Sequence, residues 1–237
     1  MVELELDDGL AVVTIDRPHV RNAIAPATMD QLEKALVAAA DARALVIRGA
    51  GDRAFISGGD LKELSAIRTE DDATAMALRM RGICDRLAGF PGPVLAALNG
   101  HALGGGAEVA VAADIRVAAD DVKIGFTQST LAIMPAWGGA ERLASVVGRS
   151  RALLLAGSGA VLTAAQAQRV GLVDEVLPRA SFEAGWRAMA RSLATPAARE
   201  IKRVVAGGVT AGDAARAFAR LWVAEAHWSA VARTRKG

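Results

Sequence analysis

The segment Asn99-Gly-His-Ala-Leu-Gly-Gly-Gly-Ala-Glu108 places three consecutive glycines two residues ahead of a carboxylate. Glycine is unfavourable inside helices and strands. A run of three between the strand-like Pro93 to Leu98 and the apolar, helical Val109 to Ala113 therefore marks a close approach to the backbone. A helix opening at the glycines points its free N–H groups and positive dipole end outward, which suits a negatively charged oxygen. Glu108 stands three residues beyond Gly105, so the two share one helix face about a turn apart. One short segment then offers an oxyanion donor and a proton-transfer group. The same residues also have a plainer use, because a first-turn Glu meets the helix dipole and glycine clusters accompany tight packing.

A second segment, Arg53-Ala-Phe-Ile-Ser-Gly-Gly-Asp-Leu-Lys62, follows the strand-like Ala44 to Arg48 and a turn at residues 49–52. Together the two segments resemble the crotonase superfamily, also called the enoyl-CoA hydratase/isomerase family. Its members carry an A-F-(S/C)-A-G-x-D-(L/I)-K loop and an N-G-x-A-x-G-G-G-x-E loop in this order. The likeness begins at Val13 to Pro18 and Arg21 to Ile24. It continues through Asp114-Ile-Arg116, Pro135-Ala-Trp-Gly-Gly139, Leu143 to Gly148 and Ala164 to Val173, nearly the whole chain.

The resemblance implies an acyl-CoA thioester substrate whose developing enolate oxygen is held by the backbone N–H groups of Gly59 and Gly105. Two such preorganised donors favour an oxyanion over a neutral carbonyl, and losing one typically costs about 10²–10³ in rate. It also implies coenzyme A contacts at Arg21 and Ala23 and along the loop of Phe55, Ser57, Gly58, Asp60, Leu61 and Lys62, with Gly104 and Trp137 beside the acyl group. Arg21 and Lys62 also read as ordinary solvated cations. Coenzyme A enters as part of the substrate, with no separate cofactor and no metal expected. Glu108 matches the first of two carboxylates used by the family's hydratases. In an apolar segment its charge is costly to bury, which raises its pKa toward the range useful for proton transfer.

The second carboxylate is replaced. Where the hydratases read F-G-x-P-E-x-x-x-G-x-x-P-G-x-G-G, this chain has Gln128 in place of the Glu and Trp137 in place of a small residue. Gln holds water by hydrogen bonds but exchanges no proton at useful pH. The family's E-K-R-x-P-x-F ending is also absent. The P-(S/A)-W-G-G turn, the non-acidic position 128 and a Trp in the last helices resemble the alkylmalonyl-CoA decarboxylase branch. Loss of CO₂ generates an enolate directly and needs no base, only an oxyanion hole and one proton donor. Enoyl-CoA isomerisation, with Glu108 moving a proton between α- and γ-carbons, fits the same residues. Hydration of a 2-enoyl-CoA is the alternative, and a non-catalytic acyl-CoA-binding subunit is the alternative of another class.

Other patterns carry less. Gly49-Ala-Gly-Asp-Arg-Ala54 fits a loose dinucleotide pattern but runs into Phe-Ile-Ser-Gly-Gly rather than a helix, which reads as a turn. His19, His101 and His227 are too far apart in sequence for a metal-ligand spacing. No G-x-S-x-G elbow occurs. Trp186, Trp222 and Trp228 read as helix-packing residues, and Cys84 as a helix core residue.

The 237 residues are 52% hydrophobic and 23% charged, the balance of a core-forming globular chain. A net charge of +2 with scattered cations gives no nucleic-acid footprint. The single cysteine precludes an internal disulfide and fits a reducing compartment. The acidic start, Met1 to Asp8, lacks a signal-peptide pattern, and no long uncharged apolar run suggests a membrane span. The expectation is a cytoplasmic protein that binds neither nucleic acid nor membrane.

The elements that must position these residues alternate. A hairpin at residues 3–6 and 10–15 precedes a helix from Pro26 to Ala40 with Met29, Leu32, Leu36 and Val37 inward. A strand at residues 44–48, a short helix near Asp60 and a longer one at 70–87 follow. A break at Pro91-Gly-Pro93 leads to the strand before the glycines. Extended pieces at 115–118 and 122–125, a capped helix from Thr163 to Gly171 and a strand at 172–177 complete an α/β region. Beyond residue 180 only helical stretches remain, at 182–193, 197–205 and 211–232. The resemblance implies that residues 1–180 form a spiral of repeated ββα units carrying the acyl-CoA site. It implies that residues 181–237 form an all-helical oligomerisation region that builds homotrimers, often dimers of trimers. Leu193, Val204, Phe218, Leu221 and Trp222 are expected to be partly buried between subunits.

Overall fold

The computed structural model describes residues 1–234; residues 235–237 lie outside the described residues. β1 (Val2–Asp7) and β2 (Leu10–Ile15) pair antiparallel, with Val2 opposite Ile15 and Asp7 opposite Leu10. α1 (Pro26–Ala38) then packs Met29, Leu32, Ala35 and Leu36 inward. Val37, expected on that face, is instead 71% exposed. It stands one position past Leu36, and the 100° step per residue carries it off the inward stripe.

Three strand pairs follow. They are β3 (Ala44–Gly49) with β4 (Ala54–Ile56), β5 (Val94–Leu98) with β6 (His101–Leu103), and β7 (Ile115–Ala119) with β8 (Lys123–Gly125). The first strand of each pair joins a six-stranded sheet ordered β1-β2-β3-β5-β7-β10, closed by β10 (Glu175–Leu177). The second joins a four-stranded sheet ordered β4-β6-β8-β9, closed by β9 (Val161–Thr163). The chain thus alternates between two sheets and advances one parallel strand in each per repeat, which traces a spiral. β3, β5 and β7 are almost wholly buried, as apolar parallel strands covered on both faces must be.

Helices occupy the returns. α2 (Leu61–Leu64) and α3 (Glu70–Ala88) follow β4, and α4 (Gly105–Ala110) follows β6. Cys84 is buried on α3 among Met80, Ile83 and Leu87. After β8 come a 3-10 turn at Thr127–Leu131, α5 (Gly139–Val147) and α6 (Arg149–Ser158). α7 (Ala164–Arg169) opens on the expected capping box, in which Thr163 and Gln166 bond each other's backbone. Arg116 on β7 is buried yet satisfied. It donates to the carbonyls of Ala113 and Leu172 at 2.9 Å and pairs with Asp174 at 2.7 Å, tying β7 to the loop before β10.

After Leu177 the described residues contain no strand, only a 3-10 turn at Arg179–Ser181 and the helices α8 (Phe182–Leu193), α9 (Pro196–Val205), α10 (Ala211–Trp222) and α11 (Glu225–Thr234). The expected single helix over 211–232 is therefore two. Trp186 is fully buried, but Trp222 and Trp228 are half exposed and pack edge-on against each other, centroids 5.5 Å apart, rather than into the core. β4, β6, α5 and α6 escape the sequence pattern. The two strands are three residues long, too short for a period to register, and α6 turns Leu153 and Leu154 outward. No described helix is long and apolar enough to cross a membrane.

Candidate active site

The Gly58-Gly59 loop is fixed by a strand-like zipper to residues 21–24. Ser57 N–H donates to Arg21 O (3.2 Å), Ile24 N–H to Gly58 O (2.8 Å) and Asp60 N–H to Ile24 O (2.8 Å). Two buried carboxamides brace the same loop from behind. Asn22 donates to the carbonyls of Ala50 (3.0 Å) and Ala54 (2.8 Å). Asn99 donates to Gly51 O (2.7 Å) and Ala54 O (3.3 Å) and accepts from Gly49 N–H (2.9 Å). Across the cleft, α4 starts at Gly105, and a Cβ placed on Gly58 would stand 3.3 Å from Gly105 N. Among the described residues, the N–H groups of Gly59 and Gly105 donate to no loop, cap or side-chain acceptor. Two free donors thus converge on one cleft, the arrangement that stabilises an oxyanion.

Glu108 follows one turn along α4 and is 2% exposed. Its Oε2 accepts the N–H groups of Trp137 (2.7 Å) and Gly139 (3.0 Å). Its Oε1 accepts Gln128 Nε2 at 2.8 Å, from the 3-10 turn after β8. Burial raises the pKa of Glu108, while the Trp137 and Gly139 N–H groups and the Gln128 amide pull it part of the way back. The carboxyl is therefore held in place, and Oε1 is the oxygen free of backbone donors. The buried Gln128 Oε1 has no hydrogen-bond partner.

These groups open on a cavity of about 180 Å³, below the ~300–1,000 Å³ of sites for drug-sized ligands. Gly59, Gly104, Gly105, Glu108, Gln128 and Trp137 line it with Leu61, Leu64, Met76, Leu131, Ile133 and Met134. Among these lining residues Glu108 is the sole ionisable group. The indole of Trp137 forms a wall: a Cβ on Gly105 would lie 2.1 Å from Cζ3, and one on Gly59 would lie 3.9 Å from Cζ2. A second cavity of about 570 Å³ adjoins through Ser57 and Thr127, which line both. Arg21, Arg53, Arg179 and His101 line it, with Asp52 and Asp121. The other residues singled out in the sequence sit elsewhere. Phe55 is in the core, Ala23 is buried with its carbonyl on Arg17, and Lys62 is exposed on α2. Asp60 caps α2 and pairs with Arg17 at 3.1 Å.

Spiral, glycine donors and buried acid together define a protein of the crotonase superfamily. The chain belongs to the enoyl-CoA hydratase/isomerase family, whose model matches residues 5–218. It is 37% identical over 176 residues to a "Probable enoyl-CoA hydratase" of Bacillus subtilis, covering 73% of this chain and 67% of that one. It is 39% identical over 194 residues to a protein of the same description from Rhodobacter capsulatus, covering 81% and 75%. Among solved structures, an enoyl-CoA hydratase from Bacillus anthracis superposes with a TM-score of 0.84 at 30% identity, covering 93% of this chain and 89% of that one.

Two features were not legible from sequence patterns. The bracing role of Asn22 and Asn99 depends on contacts across strands. The Trp137 and Gly139 N–H groups act through a turn that only the finished fold brings onto Glu108.

Proposed function

We propose that the protein acts on an acyl-CoA thioester through an enolate, with Glu108 as its single acid/base, in alkylmalonyl-CoA decarboxylation or enoyl-CoA isomerisation. The observation that carries this reading is the Gln128 amide on Glu108 Oε1, in a cavity lined by no second carboxylate.

In decarboxylation, the bond between the α-carbon and the substrate carboxylate breaks. Its electron pair moves into the thioester, whose oxygen becomes an enolate held by the Gly59 and Gly105 N–H groups. CO₂ leaves, protonated Glu108 delivers a proton to the α-carbon, and water later reprotonates Glu108. An apolar lining without a cation leaves the substrate carboxylate unneutralised, which favours losing its charge as CO₂. In isomerisation, Glu108 removes the α-proton and returns it at the γ-carbon. Hydration needs a second proton-exchanging group, which Gln128 does not supply. In the neighbouring cavity Arg21 and Arg53 suit the phosphates of the coenzyme A portion, while Arg179 is paired with Asp121.

The test is product analysis by mass spectrometry with crotonyl-CoA, a 3-enoyl-CoA and methyl- or ethylmalonyl-CoA. Loss of CO₂ or double-bond migration, abolished in Glu108→Gln, supports the reading. Gln128→Glu is expected to slow decarboxylation by repelling the substrate carboxylate and to introduce weak hydration. Hydration of crotonyl-CoA by the unmodified protein at about 10³ s⁻¹, the upper end of common turnover, would establish the hydratase alternative. Tight binding without turnover of any of them would establish the binding-subunit alternative.

A further inference from the structure

The position of Glu108 depends on a turn outside its own helix. Its Oε2 is gripped by the N–H groups of Trp137 and Gly139, and between them Gly138 takes a left-handed φ of 85°. One side chain backs this turn. Arg142, one helical turn into α5, donates from Nη1 to the Trp137 carbonyl at 3.1 Å, and its Nη2 pairs with Asp85 on α3. Its own N–H bonds Gly138 O at 3.3 Å. The guanidinium lies so close beneath the turn that a Cβ on Gly138 would stand 2.2 Å from Nη1. The side chain is 19% exposed and does not line the cavity, so a role in touching substrate is excluded by placement.

We infer that Arg142 is a positioning residue for Glu108. Through the Trp137 carbonyl it fixes the turn whose two N–H groups hold Oε2, so that Oε1 carries the transferable proton, and Asp85 anchors it to α3. The inference rests on Glu108 being the acid/base. Removing the brace loosens two donors that favour the carboxylate, which moves the Glu108 titration upward. The other groups facing Glu108 do not mimic that change. Gln128 is neutral, the buried Cys84 thiol on α3 is pushed up to about 12, and His101 opens on the second cavity.

The test uses full-length protein with ¹³C-labelled Glu side chains, the Glu108 carboxyl signal being the one lost in Glu108→Gln. Arg142→Met is expected to raise its midpoint by about one pH unit. It should also cut kcat on whichever thioester of the panel turns over by about 10–100-fold, with KM within about twofold, as a small misplacement of an acid does. Arg142→Lys, which keeps the charge and one donor, should restore part of both. An unchanged midpoint and kcat in a folded Arg142→Met, even with a lower Tm, overturns the inference. If Arg142→Met does not fold, Arg142→Lys and Asp85→Asn carry the test, and an unchanged midpoint in both overturns it. Wild-type turnover in Glu108→Gln would instead refute the reading of Glu108, while the midpoint would still report on Arg142.

Discussion

Gly139 lies so close to Glu108 that a Cβ built on it would stand 2.3 Å from the carboxylate's Cγ and 2.7 Å from Oε2. Its N–H bonds that same oxygen at 3.0 Å. The contact that holds the acid is thus the contact that excludes a side chain, and α5 must begin with glycine for the two helices to meet here.

Gly139→Ala therefore forces either the turn or Glu108 to move. Overpacking of this kind costs about 1–3 kcal/mol, and the displaced carboxyl should lower kcat by at least about tenfold. Gly82→Ala on α3 is the matched control, because a Cβ there meets nothing within 4 Å. It should stabilise the protein by about 0.5–1 kcal/mol and leave kcat alone. Thermal melts and steady-state kinetics on both variants check this, and equal kcat in the two would refute it.

The raised pKa of Glu108 has a definite sign for stability. The stabilising contribution of the neutral carboxyl is fully present below the ordinary value of 4.5 and is lost as pH rises through the folded-state value. Glu108→Gln mimics the neutral form at every pH. Its stability advantage over the wild type should grow from about pH 4.5 upward, by at most about 1.4 kcal/mol per pH unit, then level off. Urea titrations at a series of pH values measure it, and a difference that shrinks with rising pH would contradict the direction. In decarboxylation, where protonated Glu108 is the donor, activity should fall through the same upper window.

The Trp137 ring packs against Gly105 and lines the cavity, and we propose that it limits the acyl group the cavity admits. Trp137→Leu keeps the backbone N–H on Glu108 and removes most of the ring. The ratio of kcat/KM for a longer or more branched acyl-CoA over the short one should rise by about tenfold or more, the worth of one or two methylenes of space. A ratio unchanged within error would place the size limit elsewhere.

Assembly is the remaining proposal. Phe218 and Trp222 on α10 are 62% and 46% exposed, and Val204 on α9 is 44% exposed, an apolar face for burial between subunits of a homotrimer. Light scattering at micromolar concentration should give a multiple of the chain mass, and Phe218→Glu with Trp222→Glu should reduce it. A stable monomer of the unmodified protein would end the proposal.

The chemistry of this chain is legible where it is local. Gly105 and Glu108 are a turn apart on one helix, so their shared face follows from spacing alone, and the glycine run announces the close approach that Trp137 makes. Gln128 is legible as the missing carboxylate because a family pattern supplies its register, and it does reach Glu108. Asp60 shows the opposite case: its place in the loop points to ligand, yet its carboxylate is taken up by the α2 cap and Arg17. Asn22 gives no local sign, because the carbonyls it reaches lie about thirty residues away. Arg142 bonds a carbonyl of its own turn, but its anchor Asp85 and the Glu108 carboxylate that the turn holds come from other helices. The short strands β4 and β6 are hidden for a related reason. Their partners, not their own period, hold them extended.

Asn22 and Asn99 both direct an amide N–H to the carbonyl of Ala54, from positions far apart in the sequence. Asn99 can do so only once β5 has docked beside β3. The full bracing of the donor loop therefore needs the second repeat in place beside the first. A chain that stops between α3 and β5 has Gly59 but lacks Asn99, Gly105 and Glu108, so it holds one donor of the pair and no acid. Under the proposed chemistry, turnover therefore reports that both repeats are in place.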